Sequence, residues 1–261
     1  MARTTPYGFR GVHVSPVGRP GTPTDQTGEV IEGLQAMVAA RFPMAATLGL
    51  VVPPSIPLTP GTVLADQAWV AQVIDRRSGR AVDRRVAATV WWYSVSAVLV
   101  TPALAGLAAG LPLSALLADT SLAFRPDGLP VGAVSSAAGA DTAVELRNTV
   151  AAVVAVVAEA GGMRERPLWA IATDSIANQL LTLGRALGNV PAVTALAGPL
   201  AAGIGAPLPV PRYLDVAGTR FTRRASCCLI DHMPGGALCT SCPRRPAAER
   251  QALLEQAARW F

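Results

Sequence analysis

The chain has 261 residues, 51% of them hydrophobic and 15% charged, with a formal net charge of +5 and a pI near 9.6. That balance predicts a packed, helix-rich body large enough for one core or two modest domains. All 22 basic residues are arginine, a coding bias before a functional one; no basic run interleaves with aromatics and no recognition motif appears, so nucleic-acid binding is excluded.

Residues 1–26 are rich in Pro, Gly and Thr without periodicity and predict a flexible N-terminal arm. The first fourteen residues hold Arg3 and Arg10 but no apolar stretch, so no secretory leader is expected and the thiols should stay reduced in a cytoplasm. A helix-rich body is expected over 27–211. Its first helix runs from Thr27 as N-cap to Arg41, with Val30, Leu34, Met37 and Val38 on one face. A proline-rich link over 52–60 leads to a helix over 62–76. A long apolar helix then starts at Asp83 and ends before Pro102, followed by short helical turns to Leu117. Residues 86–118 carry no charge and follow Arg84-Arg85, and Trp91-Trp92-Tyr93 resembles an aromatic belt. Pro102 and Pro112 divide this stretch, and Ser94 and Ser96 weaken it for lipid, so a buried helix pair is expected. Peripheral association with the inner face of a membrane stays open.

The clearest strand signal is a hairpin near 121–135, turning at Pro126-Asp127-Gly128. Thr142 and Glu145 read as a capping box for a helix that faces inward through Leu146, Val150, Val153, Val154 and Val157 and stops at Gly161-Gly162. The next helix starts at Pro167, turns Leu168, Ile171, Ser175, Ile176, Leu180 and Leu183 inward, and stops at Gly188. A bland apolar segment covers 191–211. Pro246 opens a terminal helix with Leu253, Ala257, Trp260 and Phe261 on its apolar face, packed so as to hold the segment before it. The expected fold is α+β, mostly helical with a small antiparallel sheet and a C-terminal cysteine-rich cluster-binding segment over 212–261.

The only four cysteines lie in that segment: Cys227-Cys228, ten intervening residues, then Cys239-Thr240-Ser241-Cys242. Zinc, disulfides and an iron-sulfur cluster are the competing chemistries. Structural zinc prefers two C-x2-C knuckles, and neighbouring cysteines, with Cα atoms about 3.8 Å apart, do not readily chelate one ion. Two irons relax that constraint, because adjacent residues can reach different metals. Reduced thiols disfavour disulfides.

Arg224-Ala225-Ser226-Cys227-Cys228, Pro234-Gly235-Gly236 and Cys239-Thr240-Ser241-Cys242-Pro243 together resemble the C-terminal signature of the FhuF-like ferric siderophore reductases, R-x-S-C-C, P-G-G and C-x2-C-P. The resemblance departs at Asp231 and His232, where larger aromatic or basic residues are expected. Over residues 60–190 it extends only to the order of helical blocks and the hairpin. It implies a 2Fe-2S cluster on Cys227, Cys228, Cys239 and Cys242, and one-electron reduction of a ferric siderophore to release ferrous iron in the cytoplasm. The alternatives are a zinc-stabilised interaction module, and a 2Fe-2S carrier or sensor without siderophore specificity.

Several other residues read as tuning or docking groups, or as a solvated rim. Arg223, Arg224, Arg244 and Arg245 flank the cysteines and would favour a more negative, reduced cluster or draw in an anionic chelate or acidic donor. Ser226, Thr240 and Ser241 could donate to cluster sulfurs or cap turns; His232 is the loop's one group ionising near neutral pH. No G-x-G-x-x-G follows a strand and no flavin motif appears, so a separate ferredoxin or flavoprotein reductase is the implied electron donor. Asp174, Ser175 and distant His13 make no credible triad. Trp69, Trp91, Trp92 and Trp169 are expected in the core, with one of them a candidate wall of a siderophore pocket.

Overall fold

The architecture, given by a computed structural model, covers residues 26–260, with side chains described from Gly33 onward. Residues 1–25, His13 among them, the side chain of Val30 and terminal Phe261 lie outside the described residues; α1 already begins at Gln26, so Thr27 lies inside the helix and is not its N-cap.

The elements run α1 (Gln26–Ala39), β1 (Leu58–Pro60), α2 (Gln67–Arg77), α3 (Arg84–Ala109), β2 (Thr120–Phe124), β3 (Pro130–Ser135), α4 (Thr142–Gly161), α5 (Glu165–Ala186), α6 (Val190–Ala195), α7 (Ala197–Ile204), β4 (Tyr213–Val216), β5 (Thr219–Thr222) and α8 (Ala247–Ala258). The fold is α+β and mostly helical, as the periodicity predicts. Its three-stranded antiparallel sheet has the order β1-β2-β3, and β4 and β5 form a separate hairpin.

α3 is the axle of the molecule, packing against α5, α4, α2, α1 and β3. It is long and apolar enough to cross a membrane by length and composition, yet most of it is buried inside the protein. Trp91 and Trp92 are fully buried, and each indole N–H donates to a carbonyl, of Gly128 at 3.2 Å and Leu168 at 2.9 Å. Burial of such side chains contributes roughly 1.5–3 kcal/mol each, provided the indole donor is satisfied. The helix does not end before Pro102: it continues to Ala109 and closes on Gly110 at φ +71°. Proline removes one helical hydrogen bond at a cost of about 3 kcal/mol, and burial of Thr101, Pro102 and Ala103 against the neighbouring helices offsets it.

The inward faces of α4 and α5 fall where the 3.6-residue period puts them. The cap of α4 is displaced by one residue: Asp141, not Thr142, accepts from Ala143 N and Val144 N, while Glu145 reaches back to Ala140 N and across to Ala115 N. α5 begins two residues before Pro167. On α1, Val38 is buried but Met37 is 55% exposed, so the predicted face is narrower than the pattern suggested. Gln35 anchors that helix, donating to the carbonyls of Leu50 and Ala133 and accepting from Ser135 N. The 191–211 segment contains α6 and α7. In α8 the buried residue is Leu254; Trp260 is 84% exposed and leaves the expected apolar face.

Candidate metal centre

The cysteine loop leaves β5 and is fastened to the body by a carboxylate. Asp174, in the middle of α5 and 1% exposed, accepts from Ala225 N at 2.6 Å, Ser226 N at 3.0 Å, Ser226 Oγ at 2.6 Å and Arg224 Nε at 3.3 Å. A buried carboxylate is tolerable only when its lone pairs are filled in this way. Ser226 is thus a tether to Asp174 and not a donor to a cysteine sulfur.

Arg224 joins the tether to the thiols. Its side chain is 3% exposed and lies 4.9 Å from the centre of the Tyr93 ring on α3. Nη1 donates to Cys239 Sγ at 3.3 Å and more weakly to Cys228 Sγ at 3.7 Å. Burial works against its charge, but the anionic groups around it, Asp174 and Cys228 among them, outweigh that and hold its pKa above the ordinary value.

After Cys228 the chain turns sharply. Leu229 adopts a left-handed conformation at φ +57° and opens a single 3-10 turn, Ile230–His232. Gly235 sits at φ +72°, and a β-carbon on Gly236 would collide with the carbonyl oxygen of Ile230. The P-G-G run is therefore a steric requirement of the return path, which brings the C-x2-C turn back over the first cysteine pair.

The thiols meet as two pairs. Cys227 Sγ lies 3.9 Å from Cys242 Sγ, and Cys228 and Cys239 both accept from Arg224 Nη1. Two sulfurs bound to one tetrahedral ion at about 2.3 Å stand about 3.8 Å apart, so the first pair already has the separation of two ligands on one metal. Among the described residues no group of three or more potential ligands converges on one point. Each pair takes one cysteine from the adjacent dipeptide and one from the C-x2-C turn. That donor set fits two neighbouring metals better than one. Cys228 and Cys242 are buried while Cys227 and Cys239 are half-buried. Interaction with Cys239, helped by Ile230 N–H and Arg224, pulls the Cys228 thiol down to about 5, and the same interaction raises Cys239. Burial raises Cys227.

The remaining arginines have distinct places. Arg245 donates to the carbonyls of Cys239 at 2.9 Å and Leu238 at 2.5 Å and pairs with Glu249 on α8. Arg250 donates to the carbonyls of Arg245 at 3.1 Å and Cys242 at 3.5 Å. Arg250 on α8, and Arg245 just before it through Glu249, brace the turn. Arg244 is exposed and binds Asp231 at 2.7 Å and His232 Nε2 at 3.0 Å, so the two residues that depart from the expected pattern form one polar cluster with it at the loop surface. Arg223 is exposed, and its backbone N–H bonds Arg212 O. None of the four tryptophans lines either of the two cavities beside the loop; Tyr93 lines the smaller one.

Spacing along the chain could not reveal Asp174, Tyr93, Arg212 or Arg250. One signal was available for Asp174: a carboxylate among Ile171, Ser175 and Ile176 on a face predicted to be buried must have partners.

Four thiols in two groups, with a buried guanidinium against one of them, fit an iron-sulfur class of site. Residues 224–244 match the family model of the FhuF 2Fe-2S C-terminal domain. Residues 224–244 thus carry the FhuF-type 2Fe-2S motif that the sequence resembles, and the cofactor it holds is a 2Fe-2S cluster. No curated protein matches the chain.

Proposed function

We propose that this chain is a cytoplasmic ferric-siderophore reductase, in which Cys227, Cys228, Cys239 and Cys242 hold the 2Fe-2S cluster. The observation that carries the reading is Arg224, a buried cation donating to two of the four sulfurs inside a segment of FhuF type. When bound, the cluster supplies one electron at a time. Arg224 offsets the added negative charge, Asp174 fixes Arg224 and the loop, and the half-buried Cys239 faces a groove of about 380 Å3 that Tyr93 also lines. The substrate's ferric ion gains one electron and becomes ferrous, which hard oxygen donors hold less tightly, so reduction is release. The electron comes from a separate reduced ferredoxin or flavoprotein.

Anaerobic purification should give a red-brown protein with two irons and two sulfides per chain. Mixing the dithionite-reduced, desalted protein with a ferric siderophore and a ferrous-specific chromogenic chelator should yield one ferrous ion per chain in the first turnover. Stoichiometric zinc without sulfide, or a reduced cluster left unoxidised by every ferric chelate tried, would overturn the reading.

A further inference from the structure

A cavity of about 690 Å3 lies between the β4–β5 hairpin, the cysteine loop and α8. Arg212, Arg223, Arg224 and Arg250 line it and no carboxylate does. Arg212 and Arg223 make no ion pair among the described residues. A second observation is independent of this charge. Thr222 Oγ1 and Arg224 Nη2 are buried side-chain atoms without a hydrogen-bond partner, and both residues line the same cavity. Unpaired buried donors are uncommon, and each is costly unless a ligand meets it. Ser241 and Pro243, on either side of Cys242, form part of the wall, so an occupant would lie beside the metal centre.

We infer that this cleft binds the ferric chelate, and that it selects chelates with net negative charge. The inference rests on the reductase reading and adds the place and the charge class of the substrate. The volume lies within the usual 300–1,000 Å3 of small-molecule sites, whereas an acidic donor protein would bury a broad surface of about 800 Å2 on each partner. Arg212, Arg223 and Arg250, none of them in an ion pair among the described residues, attract an anion from solution and hold its oxygens. Arg212 and Arg223, exposed at the mouth, are free to do this. Arg250 is partly committed to loop carbonyls and Arg224 to Asp174 and the sulfurs, so these two contribute field more than contact.

Gallium(III) has the charge and nearly the size of iron(III) but is not reduced under these conditions, so it separates binding from electron transfer. The probes are the trianionic gallium tris-catecholate chelate and the neutral gallium tris-hydroxamate chelate, titrated calorimetrically into cluster-loaded protein. The trianion should bind at least tenfold more tightly, with an affinity that falls as salt rises. Arg212→Ala/Arg223→Ala should weaken the trianion by about tenfold or more and leave the neutral chelate little changed. An unaltered visible spectrum would show the cluster intact in that variant. Asn178→Ala/Gln179→Ala, in the smaller groove, should leave trianion binding unchanged.

Equal affinity for the two chelates, or trianion binding that survives the arginine substitutions or is lost in the Asn178/Gln179 variant, would overturn the inference. So would an arginine variant that binds the trianion normally but needs more reduced ferredoxin for half-maximal turnover, since the cleft would then serve the donor. Reoxidation of the reduced cluster by the corresponding ferric chelates is followed in parallel. Normal reoxidation without arginine dependence removes the cleft and leaves the reductase; trianion binding without any reoxidation removes the reductase and leaves the cleft.

Discussion

A guanidinium with a side chain only 3% exposed must be paired on most of its donors, and Arg224 is paired with Asp174 on one side and with the Cys228–Cys239 sulfurs on the other. Asp174 would hold the loop without it, because Ala225 N, Ser226 N and Ser226 Oγ remain on the carboxylate. Arg224→Gln is therefore a test of charge more than of architecture. A unit charge beside a redox centre, at an effective dielectric constant of about 20, is worth about 4 kcal/mol at about 4 Å and less further away, so the effect is on the order of 100 mV for one electron. The cation favours the more negative reduced state, so its removal should lower the midpoint potential by that order. Protein-film voltammetry on both proteins, with iron and sulfide content measured alongside, checks this. A potential that stayed level or rose with a full cluster would mean that Arg224 acts only as a strut. The same substitution at exposed Arg244 should shift the potential less, because water and salt screen it.

The cysteine loop as an element depends on one steric fact, the approach of Gly236 to Ile230 O. Gly236→Ala would force the return path open and separate the two sulfur pairs, so this variant should retain little cluster after anaerobic iron-sulfide reconstitution while keeping the helical circular dichroism of the parent. A cluster content matching the parent's would show that the turn can relax without cost. This element was legible because its chemistry and its turn residues are local. α4 and α5 were legible for a related reason, since a strict 3.6-residue apolar period over five or six positions has few other solutions. β1, β4 and β5 were not. β1 is three residues long and ends on Pro60, and the second hairpin turns through Ala217 at φ +49° and Gly218 at φ +80° without the Asn-Gly or Asp-Gly that marks such turns. The course of α3 beyond Pro102 depends on neighbouring helices that no local pattern encodes.

At the scale of the whole molecule, the surroundings of the metal centre are set by the packing of α3 on α5. Tyr93 and Asp174 come together there, and a 2.7 Å hydrogen bond between Ser96 and Ser175 ties the two helices one turn away. Sequence spacing cannot show this, because the partners are about eighty residues apart and neither belongs to the cysteine motif. The buried apolar core runs from Val38 to Leu208 and includes no residue of the cysteine loop. The loop itself is held by Asp174, by arginine-to-carbonyl bonds and by its bound cluster. Dependence should accordingly run one way: the body supports the loop, and the loop contributes little to the body. Removal of the cluster by a chelator under reducing conditions should leave the far-ultraviolet circular dichroism and the thermal midpoint of the helices nearly unchanged, while amide hydrogen exchange rises over residues 223–246 and the adjoining turn of α8. Trp92→Ala should do the reverse, costing about 3–5 kcal/mol in the stability of the body through the cavity it leaves and the lost bond to Leu168 O. A cooperative loss of all helical signal on chelation would instead mark the metal as the organiser of the fold, the behaviour of a small structural zinc domain, and would contradict a core that closes without the loop.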